Sequence, residues 1–203
     1  MTGKPPRLAG AVLAAGRASR FEGPKQVASV AGQPLVTLAA RAALRHCDAG
    51  VLVVTGAHAA NVRKAVSRLD VRIVHHRNWA AGLGTTVKAA IAAAPDCAGL
   101  LVMACDQPGV DDKALAALVR AWRQTPRQPA AAAYAGILGI PAILPMPGAR
   151  SLSLSPDRGA QASLMNWPGG STAVPMAAAG FDVDTPMDLA RLAPGNHEQD
   201  GDP

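Results

Sequence analysis

A chain of 203 residues, 49% apolar and only 3% aromatic, is long enough for one well-buried domain and too apolar for a disordered protein. Its net charge of +6 suits an anionic ligand and reads equally as an arginine-rich surface, whereas the scarcity of aromatics and of basic runs argues against nucleic acid. Cys47, Cys97 and Cys105, an odd set without CxxC spacing, exclude a disulfide framework and a structural zinc site, and the apolar runs are too short to span a membrane, so a cytoplasmic protein is expected.

Leu8 to Ala14 reads as a buried first strand. The loop after it carries small residues first and then Arg17, Arg20 and Lys25. A polyphosphate needs that order: small residues let backbone N–H groups approach the oxygens, and the cations neutralise them. Gly32-Gln33-Pro34 turns into a helix over 35–46 with Leu35, Leu38, Ala39, Ala42 and Ala43 on one face. Val51 to Val54 is a second buried strand, 58–69 an amphipathic helix burying Val62, Ala65, Val66 and Leu69, and Val71 to Val74 a third strand. The β-α-β-α-β order predicts a mostly parallel central sheet with helices on both faces, a Rossmann-like three-layer α/β/α fold.

His75 and His76 are adjacent on an extended segment, so their side chains point opposite ways and do not suggest a metal pair. Gly82-Leu83-Gly84-Thr85-Thr86 then enters a helix over 87–94. Its amides and hydroxyls can meet an anion at a positive helix end, or Thr85 or Thr86 can serve as an ordinary N-cap. Leu100 to Ala104 is the next strand, ending in Cys105-Asp106-Gln107-Pro108. A carboxylate at the carboxyl end of a central strand lies where ligands bind, and it can hold Mg²⁺ against phosphate oxygens; a turn aspartate before proline is the plainer reading. Cys105 is read as a buried strand-end thiol rather than a nucleophile.

Asp111-Asp112 opens a helix to about Gln124. Ala130 to Tyr134 and Gly139 to Pro145 read as strands, with Pro141 favouring an edge or an irregular position. A short helix ending near Asn166, a strand over Ser171 to Met176, a short strand over Phe181 to Val183 and a helix opened by Pro186 complete the pattern. One domain is expected over 1–193, followed by a polar tail, 194–203, read as disordered.

The first loop has neither the glycine spacing of a dinucleotide fingerprint nor a Walker sequence, since Gly23-Pro24-Lys25 is not Gly-Lys-Ser/Thr, and no G-x-S-x-G elbow is present. The run LAAG-x3-R-F-x-G-P-K, Leu13 to Lys25, resembles the MobA-like nucleotidyltransferases of molybdenum cofactor biosynthesis. Segments Asn78 to Ile91, Cys105 to Pro108, Gly139 to Leu144, Asp157 to Ala160 and Asp182 to Leu189 resemble the same family in the same order. The resemblance covers roughly 8–192 and implies a fold of the nucleotide-diphospho-sugar transferase type. Within the family the chain resembles the molybdenum cofactor cytidylyltransferases, which transfer CMP from CTP to molybdopterin, because Ala15 stands where the guanylyltransferases have Gly. It departs at His76, where members have Asn, and at Thr85-Thr86, which replace Ser-Ser. The stretch 126–134 is short and alanine-rich.

The resemblance implies that Leu13, Ala14, Ala15 and Gly16 line the base and ribose, and that Arg17 and Arg20 reach the phosphates. Arg20, Lys25 and Asp106 would be catalytic, Lys25 stabilising charge at the α-phosphate or on the leaving pyrophosphate. Gly82, Thr85 and Thr86 would complete the base pocket. Asp106 and Asp184 would hold Mg²⁺, Asp184 being preferred to Asp182 because it precedes Thr-Pro. Asp157 and Arg158 would lie nearer the acceptor. The implied partners are CTP or another nucleoside triphosphate, a molybdopterin-type acceptor and a molybdenum hydroxylase. The alternatives are a GTP-using guanylyltransferase, a cytidylyltransferase for another phosphorylated acceptor, and a non-catalytic molybdenum-cofactor carrier.

Overall fold

Alternating apolar residues along the first strand feed two cores. In β1 (Leu8–Ala14), Leu8 and Val12 face one side of a sheet, and Ala9, Ala11 and Leu13 face the other. Both faces are buried because helices cover both, the three-layer arrangement expected from the element order. The computed structural model describes residues 4–21, 23–152, 154 and 159–192. The expected tail over 194–203, with Asp157 and Arg158, lies outside them.

After β1 come the short antiparallel pair β2 (Ser29–Val30) and β3 (Gln33–Pro34), then α1 (Leu35–His46), β4 (Val51–Thr55), α2 (Ala59–Val66), β5 (Arg72–His75) and α3 (Leu83–Ala93). The second half runs through β6 (Gly99–Ala104), α4 (Asp112–Gln124), β7 (Ala130–Tyr134) and β8 (Ile137–Pro145) to α5 (Met146–Ala149), α6 (Gln161–Met165), β9 (Thr172–Pro175) and α7 (Pro186–Ala190). The seven-stranded sheet has the order β5-β4-β1-β6-β8-β7-β9. All neighbours are parallel except β8, which is antiparallel to both β6 and β7. β1 lies between β4 and β6, with Val12 opposite Val53 and Met103, so the ends of three parallel strands open onto one edge. Helices α1, α2 and α4 contribute Val36, Ala40, Val62, Val66, Leu115 and Leu118 to one core, and α3 and α6 contribute Val87, Ala90, Ile91 and Leu164 to the other.

Several expectations are refined or corrected. The helix expected over 87–94 begins four residues earlier, at Leu83, with Gly82 as its N-cap at φ 106°. Neither threonine caps it. Thr85 lies inside the first turn and donates its hydroxyl back to the Gly82 carbonyl at 2.8 Å. Pro141 takes the irregular position that was one of its two expected places: it sits in an interior strand, where the β7–β8 register shifts between Ala131 and Ala132, beside it. Residues Phe181 to Val183 form no strand, since the Val183 N–H is spent on the Asp106 carbonyl at 2.9 Å. The second helix is also shorter than expected, ending at Val66, where Ser67 donates its hydroxyl to the Lys64 carbonyl at 2.9 Å.

Cys47, at the C-cap of α1, packs against Gly10 in the core. Burial, reinforced by the charge of Asp48, pushes its thiol from the ordinary 9.0 up to about 12. The folded chain therefore keeps a proton that the unfolded chain releases. This contribution to stability is complete below about pH 9 and is lost as pH rises toward 12, at about 1.4 kcal/mol per pH unit. Urea unfolding from pH 8 to 11 should show that loss in the wild type, and a correspondingly smaller one in Cys47→Ala.

Candidate active site

The cleft lies at the carboxyl ends of β1 and β6, as expected for a ligand site in an open α/β sheet. It has a volume of about 560 Å³. Its walls include Leu13, Ala14, Ala15, Gly16 and Arg17 from the end of β1, and Gly82 and Thr86 at the start of α3. Lys25 and Asp106 line it too, as does Asp182.

The loop after β1 is fixed from behind. The Ala15 carbonyl accepts from the Ala57 N–H at 3.1 Å, and the Gly16 carbonyl accepts from Gln26 Nε2 at 2.7 Å. Gly56 must lack a side chain, because a Cβ there would come within 2.4 Å of the Ala15 carbonyl oxygen and 2.6 Å of the Trp79 ring. Arg17 lays its guanidinium over that ring, 5.6 Å from the centroid, a cation–π contact that holds a positive charge at the cleft wall. Thr86 is buried and lines the cleft. Thr85 is turned to structure instead: besides its bond to Gly82, its hydroxyl lies 2.9 Å from His76 Nε2.

A charged cluster joins residues far apart in sequence; Lys25 and Asp106 of it line the cleft, and Arg20 and Asp184 stand behind them, outside its lining. Lys25 Nζ lies 2.6 Å from Asp106 Oδ2 and 2.8 Å from Asp184 Oδ1, and Arg20 donates to Asp184 Oδ2 at 2.6 Å. The four predicted residues Arg20, Lys25, Asp106 and Asp184 thus form one chain of contacts. Burial by itself would lower the Lys25 pKa, but attraction to Asp106 and Asp184 outweighs it and the ammonium is held above its ordinary range. Asp182 does not join the ion pairs. Burial first, and the charge of Asp106 second, raise its carboxyl above the usual carboxylate range, against a hydrogen bond with Gln107. Cys105 is fully buried; burial and the neighbouring Asp106 charge push its thiol up and keep it protonated, so it is no nucleophile.

The donor set fits a divalent cation. Two carboxylates already converge on one cation, the Lys25 ammonium, and carboxylate oxygens are the hard ligands that Mg²⁺ prefers. Among the described residues no group of three or more His, Cys, Asp and Glu side chains gathers into a closed metal cage. An ion held here would complete its shell from phosphate oxygens and water.

Sequence reasoning passed over Gln26, Trp79, Gln107 and Tyr134, which also line the cleft. Gln26 follows Lys25 directly but is recognised only by its burial, 2% exposed; Trp79 and Tyr134 likewise reach the cleft through tertiary contacts alone.

The family model for the MobA-like NTP transferase domain matches residues 10–169. A nicotine blue oxidoreductase from Paenarthrobacter nicotinovorans is 30% identical, with 92% of this chain and 97% of that protein covered. The solved homologue of Mycobacterium tuberculosis Rv0371c from Mycobacterium sp. strain JC1 is 26% identical at a TM-score of 0.75, covering 92% of this chain and 94% of that one. Rv0371c of Mycobacterium tuberculosis H37Rv, solved in complex with manganese, shares the fold at 20% identity and a TM-score of 0.71, covering 93% and 98%. The match over most of the chain, on a sheet whose strand ends carry this cleft, makes the protein a member of the MobA-like NTP transferase family.

Proposed function

We propose that this chain is a metal-dependent cytidylyltransferase that transfers CMP from CTP to a molybdopterin-type acceptor. The observation that carries the reading is Lys25 held between Asp106 and Asp184 at the floor of a cleft walled by the loop after β1. Positioning and electrostatics do most of the work in such a transfer. An acceptor phosphate oxygen attacks the α-phosphorus of CTP, the bond from that phosphorus to the bridging oxygen breaks, and pyrophosphate leaves with the electron pair. Ala14, Ala15 and Gly16 hold the nucleoside against the end of β1, with Gly82 and Thr86 across the cleft. Arg17 and Arg20 hold the triphosphate, and Lys25 meets the charge that builds on the leaving oxygens. Asp106 and Asp184 would hold a divalent ion, which would supply charge neutralisation at the phosphates; the manganese complex of Rv0371c supports such an ion. Thr85 acts behind this surface, shaping the turn at Gly82. Ala15, 4% exposed in the cleft wall, carries the preference for cytosine through its resemblance to the cytidylyltransferase branch.

A thermal-shift screen of CTP, GTP, ATP and UTP with Mg²⁺ tests the nucleotide. At a hundred times its dissociation constant CTP should raise the melting temperature by roughly 5–10 °C, and GTP by much less. Pyrophosphate release from CTP should then require molybdopterin. A shift with GTP alone would move the chain to the guanylyl branch, and no shift with any nucleotide would favour a cofactor carrier. The Paenarthrobacter relative's name raises oxidoreductase chemistry as a second reading, so NADH belongs in the same screen. Stabilisation by NADH and not by CTP would overturn the transferase reading.

A further inference from the structure

The position between Asp106 and Asp184 is already filled by a cation of the protein's own. Lys25 Nζ lies 2.6 Å from one carboxylate and 2.8 Å from the other, and its side chain is only 11% exposed. Two carboxylates facing one point would otherwise repel each other, and one ammonium sits against both, with Arg20 adding a contact only to the outer oxygen of Asp184. A divalent ion and this ammonium cannot share the carboxylates at those distances, because three positive charges would crowd into one contact shell.

We propose that Lys25 is a placeholder that excludes a free divalent ion from the Asp106–Asp184 pair until a polyphosphate arrives to take the ammonium away. The inference rests on the reading of those two aspartates as metal ligands. Phosphate oxygens offer the ammonium a competing anion in the same cleft, where Arg17 also waits. Once Lys25 turns to them, the carboxylates need a new cation and the metal fills the gap, bridging to the same phosphates. Metal and polyphosphate therefore bind with positive coupling, each removing the other's obstacle, and the coupling is the same in both directions. The site stays closed to the metal on its own, which keeps an idle cleft from holding a bare ion.

The experiment is Mn²⁺ binding to the full chain, read by the electron paramagnetic resonance of the free ion, with no nucleotide present. Wild type should bind weakly. Lys25→Met and Lys25→Gln, which leave the carboxylates without their ammonium, should bind at least about tenfold more tightly. Adding Asp106→Asn to either should abolish the gain. Circular dichroism melting of each variant without metal checks that the carboxylates still sit in a folded cleft, and two replacements of different polarity guard against failure of one. Equal Mn²⁺ affinity in wild type and both folded variants would overturn the placeholder while leaving the metal reading intact. If Mn²⁺ binds to none of these proteins, and CTP does not recruit it to the wild type either, the metal reading falls and the placeholder with it.

Discussion

Asp106→Asn should lower nucleotidyl transfer by about a hundredfold to a thousandfold while moving the melting temperature by no more than about 2 °C. The two effects separate because of how the carboxylate is employed. Asp106 accepts from Lys25 at the end of β6, and the Asn side chain has the same shape, so the backbone bond from Val183 to the residue 106 carbonyl is unaffected. Lys25 keeps Asp184 at 2.8 Å, so the ammonium is not stranded. The pair is largely buried, at 11% and 20% exposed, but Lys25 retains Asp184 and the Asn amide oxygen still accepts from it, so the loss stays at about 1 kcal/mol. Against that loss stands the relief of Asp182, whose raised pKa owes its second-largest cause to the Asp106 charge. The transfer reaction has no such compensation, because an amide holds neither the ion nor the ammonium with a full charge. Initial rates of pyrophosphate release, compared with melting curves on the same preparations, check both halves. An Asn variant that retained the wild-type rate would remove Asp106 from the chemistry.

Trp122→Ala should destabilise the fold by about 3–5 kcal/mol. Helix α4 presents Leu115, Leu118, Val119 and Trp122 to the sheet at helical spacing, and Trp122 is completely buried. Its ring fills the space over Gly99 so closely that a Cβ on that glycine would come within 2.4 Å of it. No smaller side chain reaches as far, so truncation leaves a cavity at the amino end of β6. The indole Nε1 is buried without a hydrogen-bond partner among the described residues. Trp122→Phe should therefore cost less than truncation, about 1–2 kcal/mol, because the unsatisfied N–H disappears along with part of the packing. Urea unfolding of the two variants measures both values. Asp106, beyond the other end of the same strand, is seven positions and roughly 20 Å from Gly99, so nucleotide affinity of the folded fraction should hold. Equal losses in the two variants would mean that the ring's size is not what holds α4 down.

Where a local pattern decided the structure, the sequence could be read. The apolar runs of β1, β4 and β6 and the small-then-cationic loop after β1 placed a cleft at the strand ends; Lys25 and Asp106 line it, and Asp184 and Arg20 join them in one chain of contacts. What escaped was set by pairing or by contact at long range. The low helix propensity of Gly84, Thr85 and Thr86 concealed that α3 begins at Leu83, where Gly82 takes a positive φ and Thr85 closes the turn. Pro141 signalled an edge or an irregularity, and only the pairing partner β7, which changes register beside it, decides for the irregularity. Gln26 behind Gly16, and Trp79 between Gly56 and Arg17, are tertiary contacts with no periodic signature.

The ion pair between Lys25 and Asp184 joins residues 159 positions apart. A ribosome adding about 5–20 residues per second makes Asp184 roughly 8–30 s after Lys25. During that interval β1, β4, β5 and β6 can already pair, and Lys25 can already meet Asp106, on a half-built cleft with a single carboxylate for its ammonium. On the proposed reading, the second carboxylate for a metal–triphosphate therefore arrives late in synthesis, with the short segment before α7, after all the strands of the sheet have been made.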